Sequence, residues 1–243
     1  MTEASGSALN LSAVRTGASV TTLTYEALKQ AVMRMNIYDP DVDLRIDERR
    51  LAEDLRVSRT PIREAIARLE QEGLLHTVPR RGTYVVRKSK REILDVITAW
   101  AALESMAARL ITERATGAEI ASLRRLFATF DADRGRVAAR IDEYSDANLA
   151  FHQRIIELSR SDTIGRLVDG LLIHVQAIRR RTIREEERFS RSIVDHMHII
   201  EALEAGDAES AERLVREHAL NLARHVETHA HYLVGTVDAA EAV

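Results

Sequence analysis

The chain has 243 residues, of which 45% are hydrophobic, 30% charged and only 4% aromatic, and its formal net charge is −3. It contains no cysteine, which excludes a disulfide scaffold, a cysteine-ligated zinc site, an iron–sulfur cluster and thiol catalysis. No apolar run approaches the roughly 18 residues that a membrane-spanning helix needs, and the first residues lack the basic and apolar regions of a signal peptide. We therefore expect a cytoplasmic protein of one or two domains.

The charge is unevenly distributed along the chain. Residues 45–88 contain eleven Lys and Arg against seven Asp and Glu, whereas residues 89–243 contain 21 basic and 26 acidic residues. A basic block joined to an acidic block is typical of a nucleic-acid-binding module attached to a different domain. A solvated, charged helix face would give the same imbalance, so the charge alone does not decide.

The N-terminal region is predicted to hold three short helices. Residues 1–20 are rich in Ser, Thr, Gly and Ala without apolar periodicity, which predicts a flexible tail. Apolar residues at helical spacing predict a first helix over 23–35. Asp47 is expected to cap a short second helix, and a tight turn over residues 56–58 leads into a third helix, capped by Ser58 or Thr60.

The third helix has one apolar and one polar strip. Ile62, Ile66 and Leu69 recur at helical spacing and are expected to face the core, and Gly73 is expected to end the helix. Three polar side chains lie on a neighbouring strip that the core does not use: Arg59, Thr60 and Arg63.

The segment after this helix has a β-strand pattern. Residues 74–78 and 83–86 flank a turn over residues 79–82, which predicts a small hairpin with Arg80 and Arg81 at its tip. Two helices joined by a short turn and followed by a basic hairpin are typical of a winged helix-turn-helix. In such a domain a helix enters the major groove of DNA, and the wing follows the backbone.

The motif itself resembles a known family. Residues 47–85 read DERRLAEDLRVSRTPIREAIARLEQEGLLHTVPRRGTYV and closely resemble the winged helix-turn-helix of the GntR family of bacterial transcription regulators; the match covers most of residues 21–88. The resemblance implies that four residues contact operator DNA and that Gly82 is the wing glycine. The four are Arg49, Arg59, Thr60 and Arg63. The alternative is that the arginines only form salt bridges with neighbouring acids: Glu53, Glu64 or Glu70.

The rest of the chain is predicted to be helical. Six helices are expected, over residues 91–114, 117–135, 141–159, 161–183, 188–205 and 207–232. No strand signal interrupts them, so residues 89–236 predict an antiparallel helical bundle. The expected fold is therefore mainly α, with an N-terminal winged helix-turn-helix and a C-terminal all-helical bundle.

All nine histidines but His76 fall in the predicted bundle. Asn148 and His152 are four residues apart and share one helix face, while His196 and His218 each lie within an apolar pattern. A lone inward histidine is more often a hydrogen-bonded core residue than a metal ligand. Three further histidines near the end of the chain are expected at the surface: His225, His229 and His231.

A second resemblance concerns the bundle. The segments NLAFHQRIIELS, DHMHIIEALEAGDAESAERL and VREHAL are similar to the all-helical FCD effector-binding domain of the FadR branch of the GntR family, in its six-helix form. The resemblance implies that a divalent metal is held by four residues: Asn148, His152, His196 and His218. Neutral imidazole suits zinc, with nickel or manganese as alternatives.

The sequence departs from the common pattern of that branch at two positions. Asn148 replaces the usual aspartate, which removes a negative ligand and predicts weaker metal binding. Trp100 stands where many relatives carry an arginine near the effector pocket. His174 and Arg179 are further candidates for lining that pocket.

The function implied by both resemblances is a homodimeric, ligand-responsive transcription regulator. We expect a repressor that a small carboxylate metabolite, bound at the metal, releases from its operator. Two alternatives remain: a regulator whose metal is only structural, and a metal-dependent hydrolase. The hydrolase would need a general base, and only Asp146 and Glu157 are acids close in sequence to His152.

Overall fold

The computed structural model describes residues 19–39, 41–128, 130, 141–183 and 186–233. These residues form an N-terminal part of three helices and a small sheet, followed by a C-terminal part of six helices. The predicted fold class, mainly α with a winged helix-turn-helix and a helical C-terminal domain, is confirmed. The predicted tail over residues 1–20 lies outside the described residues except for its last two. Of these, Ser19 caps the first helix and Val20 begins it.

The three N-terminal helices are α1 (Val20–Arg34), α2 (Glu48–Leu55) and α3 (Arg59–Gln71). The side chain of Asp47 accepts hydrogen bonds from the backbone N–H groups of Arg49 and Arg50 and so caps α2, as predicted. Ser58 occupies the cap position of α3, but its side chain makes no capping hydrogen bond.

The side chains of α3 are buried or exposed according to the helical periodicity of the sequence. Ile62, Ile66 and Leu69 are buried, and α3 packs against α1, so the polar strip faces solvent. Gly73 follows the helix with φ +72°, and its N–H donates to the carbonyl of Glu70 at 2.9 Å. This left-handed residue ends α3 where the sequence predicts.

The sheet has three antiparallel strands in the order β1–β3–β2: β1 (Arg45–Ile46), β2 (Leu75–Val78) and β3 (Gly82–Val85). The predicted hairpin is β2–β3, with Val78 opposite Gly82. Strand β1 was not predicted, because two residues carry no recognisable alternation. A Cβ on Gly82, whose φ is +121°, would lie 3.2 Å from Nε of Arg45, so β1 packs closely on the wing.

The C-terminal part contains six helices: α4 (Lys90–Arg114), α5 (Gly117–Phe127), α6 (Ile141–Leu158), α7 (Asp162–Thr182), α8 (Glu186–Glu204) and α9 (Ala208–His229). A single 3-10 turn, His231–Leu233, follows α9.

Three predicted helix bounds differ from the structure by three residues or more. Helix α1 was expected to begin at residue 23 and begins at Val20. Helix α5 was expected to reach residue 135 but ends at Phe127, because the chain turns there and places the ring of Phe130 on that of Tyr144, 5.4 Å between centroids; residues 131–140 lie outside the described residues. Helix α9 was expected to reach residue 232 and ends at His229, capped by Ala230.

Helix α4 is central to the bundle and contacts α6, α7, α8 and α9. Helix α7 also contacts α1, so it lies between the bundle and the N-terminal part. Within the ranges that the structure describes, no helix is both long and apolar enough to cross a membrane.

Gly73 offers a direct test of the α3 terminus. Gly73→Ala should lower the free energy of unfolding by about 1–2 kcal/mol, because a Cβ strains a left-handed backbone. Gly117→Ala is the matched control: neither glycine has an atom within 4 Å of an added Cβ, and Gly117 lacks the positive φ. Chemical denaturation measures both, and an equal loss in the two variants would contradict the assignment.

Candidate functional site

Three histidines from different helices lie side by side inside the bundle: His152 of α6, His196 of α8 and His218 of α9. Their ring centroids are 5.3 Å (His152–His196), 5.4 Å (His152–His218) and 4.7 Å (His196–His218) apart. One nitrogen of each ring lies within 4.8 Å of the other two. The structure therefore brings together the three histidines that the sequence singled out.

Carboxylates orient two of these rings. Oε1 of Glu104 is hydrogen-bonded to Nδ1 of His152, and Oδ2 of Asp195 lies 3.0 Å from Nδ1 of His218. With Nδ1 donating to the carboxylate, each ring keeps its lone pair on Nε2. The two acids lie 48 and 23 residues from their histidines in sequence, and neither was predicted.

A tyrosine orients the third ring. The hydroxyl of Tyr144 donates to Oγ of Ser192 at 2.8 Å, which uses its only proton. Nδ1 of His196, 3.1 Å from the same hydroxyl, therefore donates to it. Nε2 of His196 again keeps its lone pair, so all three rings can present Nε2 as an electron-pair donor.

Burial keeps the imidazoles neutral. Desolvation lowers the pKa of His152 and His196 well below the ordinary histidine value, and neighbouring positive groups lower it further. Desolvation also lowers the pKa of His218, against the opposing effect of Asp195. Neutral imidazole is the form that binds metal ions, so protons compete little for these rings near pH 7.

Glu104 of α4 is the acid at the centre of this arrangement. Besides His152, its carboxylate accepts a 2.6 Å hydrogen bond from Nε1 of Trp100 and lies 3.7 Å from Nη2 of Arg179. Burial raises the pKa of Glu104, and the Arg179 cation and the Trp100 N–H oppose that shift. The sequence held one signal for it: Glu104 lies among the inward apolar positions of α4, where an acid is rare unless paired.

Several buried polar atoms have no hydrogen-bond partner. They include Oδ1 of Asn148, Nε2 of His152 and Nε2 of His196. Each is an electron-pair donor, and a buried polar atom left unpaired costs about 1–3 kcal/mol. Three imidazole nitrogens and one amide oxygen are ligands that zinc and nickel accept, so the residues present fit a divalent cation.

A small polar cavity adjoins these residues. It measures about 10 Å³, room for about one water molecule, and is lined by Ser145, Asn148 and Leu149 of α6 and by Gln176, Arg179 and Arg180 of α7. Further unpaired atoms lie on its lining side chains: Oγ of Ser145, both amide atoms of Gln176 and Nη2 of Arg179. The cavity therefore offers hydrogen-bond donors and acceptors that the protein itself does not satisfy.

The three predicted pocket residues lie in three different environments. Trp100 is fully buried and contacts Glu104 and Arg179, whose guanidinium lies 5.6 Å from the indole centroid. His174 lies on the other side of α7, where its Nδ1 is 2.9 Å from the hydroxyl of Tyr38. Arg179 alone of the three lines the cavity.

A larger pocket of about 250 Å³ opens between α8 and α9, next to His218. His225 and His229 line it, with their rings stacked at 4.6 Å. Both were expected to be plain surface residues, as was His231. His229 and His231 are exposed and His225 is half-buried, but the proximity of His225 and His229 to His218 was not predicted.

Three of the predicted DNA-contacting residues lie at one groove of the N-terminal part, and the other four are exposed. Arg49, Arg59 and Gly82 line one groove between α2, β1 and the wing. Arg63 and Thr60 are exposed on α3, as are Arg80 and Arg81 at the hairpin tip.

The proposed salt bridges are present only in part. Arg49 pairs with Glu53 at 3.1 Å, and Arg63 pairs with Glu48 at 3.1 Å, whereas Glu70 instead accepts from the backbone N–H of Thr77. Exposed ion pairs are worth about 0–1 kcal/mol, so these arginines remain available for phosphate or base contacts.

Comparisons with known proteins decide the family. Residues 21–85 match the model of the bacterial regulatory proteins of the gntR family, and residues 95–221 match that of the FCD domain. The chain is 32% identical over 194 residues to the Nta operon transcriptional regulator of Aminobacter aminovorans, covering 76% of this chain and 82% of that protein. The chain belongs to the GntR family.

Other members agree with this assignment. The chain is 22% identical to the HTH-type transcriptional repressor RspR of Escherichia coli, over 74% of this chain and 78% of that protein. The solved structure of Escherichia coli McbR/YncC has the same fold, with a TM-score of 0.71 and 22% identity over 86% of this chain and 97% of that one. This GntR-family protein is thus a DNA-binding transcriptional regulator rather than an enzyme. Its three-histidine cluster lies in the FCD domain, a domain known to bind metals.

Glu104 provides a test of the site's architecture. Glu104→Gln should weaken zinc binding by about 10–100-fold, because the carboxylate that orients His152 is lost. Glu113→Gln, on the exposed face of the same helix, is the matched control. Competition with a chromophoric chelator measures both affinities, and an unchanged affinity in Glu104→Gln would show that the carboxylate does not support the site.

Proposed function

We propose that this GntR-family regulator is a homodimeric repressor released from its operator by a small carboxylate bound at a metal centre in the helical domain. Residues 21–88 would bind DNA, and residues 89–236 would bind the effector and form the dimer. The observation that carries the proposal is that buried electron-pair donors of Asn148, His152 and His196 have no hydrogen-bond partner. Asn148 also lines the polar cavity together with Arg179.

The metal ligands in this proposal are Asn148, His152, His196 and His218. Zinc is the first expectation, and nickel or manganese are alternatives, because neutral imidazole with one oxygen ligand suits all three. When bound, the ion supplies coordination positions for an oxygen ligand. Glu104, Asp195 and Tyr144 hold the rings in orientation through Nδ1.

Charge balance supports an anionic effector. The imidazoles and Asn148 are neutral, Arg179 offsets the buried carboxylate of Glu104, and the carboxylate of Asp195 at His218 supplies one negative charge. A divalent cation therefore leaves a net positive charge at the site, which is costly in the interior unless an anion accompanies it. Arg179 and Gln176 have unpaired N–H groups at the cavity, and a carboxylate accepts hydrogen bonds from both.

One observation favours a purely structural metal instead. The cavity of about 10 Å³ has room for about one water molecule, so an effector must widen it. The hydrolase alternative has little support, since Asp146 is exposed and Glu157 is an exposed residue paired with Arg154.

DNA recognition in this proposal uses one exposed face. Arg59, Thr60 and Arg63 of α3 would enter the major groove, Arg49 would contact phosphate, and the wing residues Arg80, Arg81 and Gly82 would follow the backbone. Two such domains reading half-sites about one helical turn apart require a two-fold symmetric dimer.

The DNA-binding assignment predicts the effect of two substitutions. Arg59→Ala and Arg63→Ala should each weaken operator binding by about 1–3 kcal/mol. Arg213→Ala is the matched control, because it removes one exposed arginine from the bundle. Fluorescence anisotropy with a DNA fragment selected from a genomic library measures the affinities, and equal binding by all three variants would refute the assignment.

The effector assignment predicts a metal-dependent thermal shift. Small carboxylates, screened at saturating concentration, should raise the melting temperature in the presence of zinc and not in the presence of a chelator, since a ligand stabilises the state that it binds. Asn148→Asp should reduce the shift, because its carboxylate already offsets the metal charge. Stabilisation by zinc with no response to any carboxylate would favour the structural metal.

A further inference from the structure

Helix α7 has no solvent-facing side along its centre. Every residue from 172 to 179 is buried, although this stretch includes His174, Gln176 and Arg179. One side of the helix packs on α4 and α6 and lines the polar cavity, and another side packs on the DNA-binding part. A single helix therefore contacts both the candidate effector site and the DNA-binding domain.

The N-terminal half of α7 reaches the end of α3. Nζ of Lys29 lies 3.2 Å from Oδ2 of Asp169 on α7 and 3.1 Å from Oε2 of Glu72. Glu72 is the C-cap residue of α3, the helix that carries Arg59 and Arg63. The backbone of α7 also comes close here, since a Cβ on Gly170 would lie 3.6 Å from the carbonyl oxygen of Glu72.

The middle of α7 contacts the segment that follows α1. His174 and Gln176 are two residues apart and so point to nearly opposite sides of the helix. Gln176 faces the cavity, and His174 is hydrogen-bonded to Tyr38 in a buried contact. The Tyr38 hydroxyl also accepts the backbone N–H of Lys88 at 3.4 Å, which ties this segment to the connection between β3 and α4.

In the C-terminal half of α7, Arg180 contacts both the polar cavity and the end of α1. Arg180 lines the cavity, and its Nη1 donates to the carbonyl of Arg34 at 2.7 Å. Arg34 is the last residue of α1. A change in the position of Arg180 at the cavity therefore acts directly on the end of α1.

We propose that α7 transmits the state of the polar cavity to α3, through the contacts Arg180–Arg34, His174–Tyr38 and Asp169–Lys29–Glu72. The mechanism rests on the proposed function, since it assumes that the cavity responds to a ligand. Helix α7 is continuous over its 21 residues, so a displacement at its cavity end moves its other end as well. Coupling of this kind requires a shared element whose position both sites bias.

The interface between α7 and the DNA-binding part includes polar contacts. Two of its contacts are single hydrogen bonds, His174–Tyr38 and Arg180–Arg34, and Nε2 of His174 is buried without a partner. An unpaired buried nitrogen costs about 1–3 kcal/mol, so the interface is not optimised for stability.

The proposal is tested without knowledge of the effector by altering the cavity itself. Gln176→Leu replaces an unpaired amide by an apolar group of similar size. Hydrogen–deuterium exchange of the full chain should then change by at least about threefold at residues 35–39 and 72–76. Gln153→Leu is the matched control, because Gln153 is exposed on α6 and the chemical change is the same.

A second pair of variants tests the contacts. Tyr38→Phe removes one hydroxyl, and Lys29→Met removes the link between Asp169 and Glu72. In combination with Gln176→Leu, Tyr38→Phe should reduce the response at residues 35–39, where the Arg180–Arg34 contact remains. Lys29→Met should abolish the response at residues 72–76, and both variants should retain the response inside the bundle. A response to Gln176→Leu confined to the bundle, or one unaffected by the second substitutions, would overturn the proposal.

The addition of zinc without any effector distinguishes failure of the α7 mechanism from failure of the proposed metal site. If zinc raises the melting temperature and alters exchange at residues 35–39 and 72–76, both are supported. If zinc raises the melting temperature and neither zinc nor Gln176→Leu alters exchange there, the metal assignment stands and the α7 mechanism is refuted. If zinc has no effect on the melting temperature, the metal assignment fails and the Gln176→Leu comparison still decides the role of α7.

Discussion

The burial of polar groups at the centre of the helical bundle is the constraint on which the structure depends. Three imidazoles, a carboxylate and a guanidinium are removed from water there, and each needs a partner. Glu104 satisfies part of this need through His152, Trp100 and Arg179. The lone pairs of His152, His196 and Asn148 accept no hydrogen bond within the protein, and the proposed metal centre rests on this observation.

Helix α7 connects the buried polar centre of the bundle to the DNA-binding part. Its cavity side carries Gln176 and Arg179, and its opposite side holds Tyr38 through His174. Because α7 is buried between two parts of the protein, neither part can rearrange at this interface without it. In the proposed function, ligand binding at the polar cavity must change the DNA-binding helix α3. Helix α7 adjoins both, through Gln176 at the cavity and Gly170 at the end of α3.

The sequence predicted what depends on periodicity and composition. The helices, the hairpin, the Asp47 cap and the Gly73 terminus follow local patterns, and the three histidines lie on inward faces that such patterns reveal. Glu104 and Asp195 were missed because their histidines are 48 and 23 residues away in sequence. Only the packing of the helices brings each acid into contact with its histidine. The placement of His174 was missed for another reason: both sides of α7 are buried, so apolar periodicity does not distinguish the side facing the cavity from the side facing Tyr38.

The central claim is that the histidine cluster with Asn148 is a metal centre. X-ray absorption at the zinc edge, on protein reconstituted with one equivalent of zinc, tests it most directly. The account predicts a shell of nitrogen and oxygen ligands at about 2.0–2.1 Å with the outer scattering of three imidazoles. A spectrum with only water ligands, or with a single imidazole as a surface histidine would give, would contradict it.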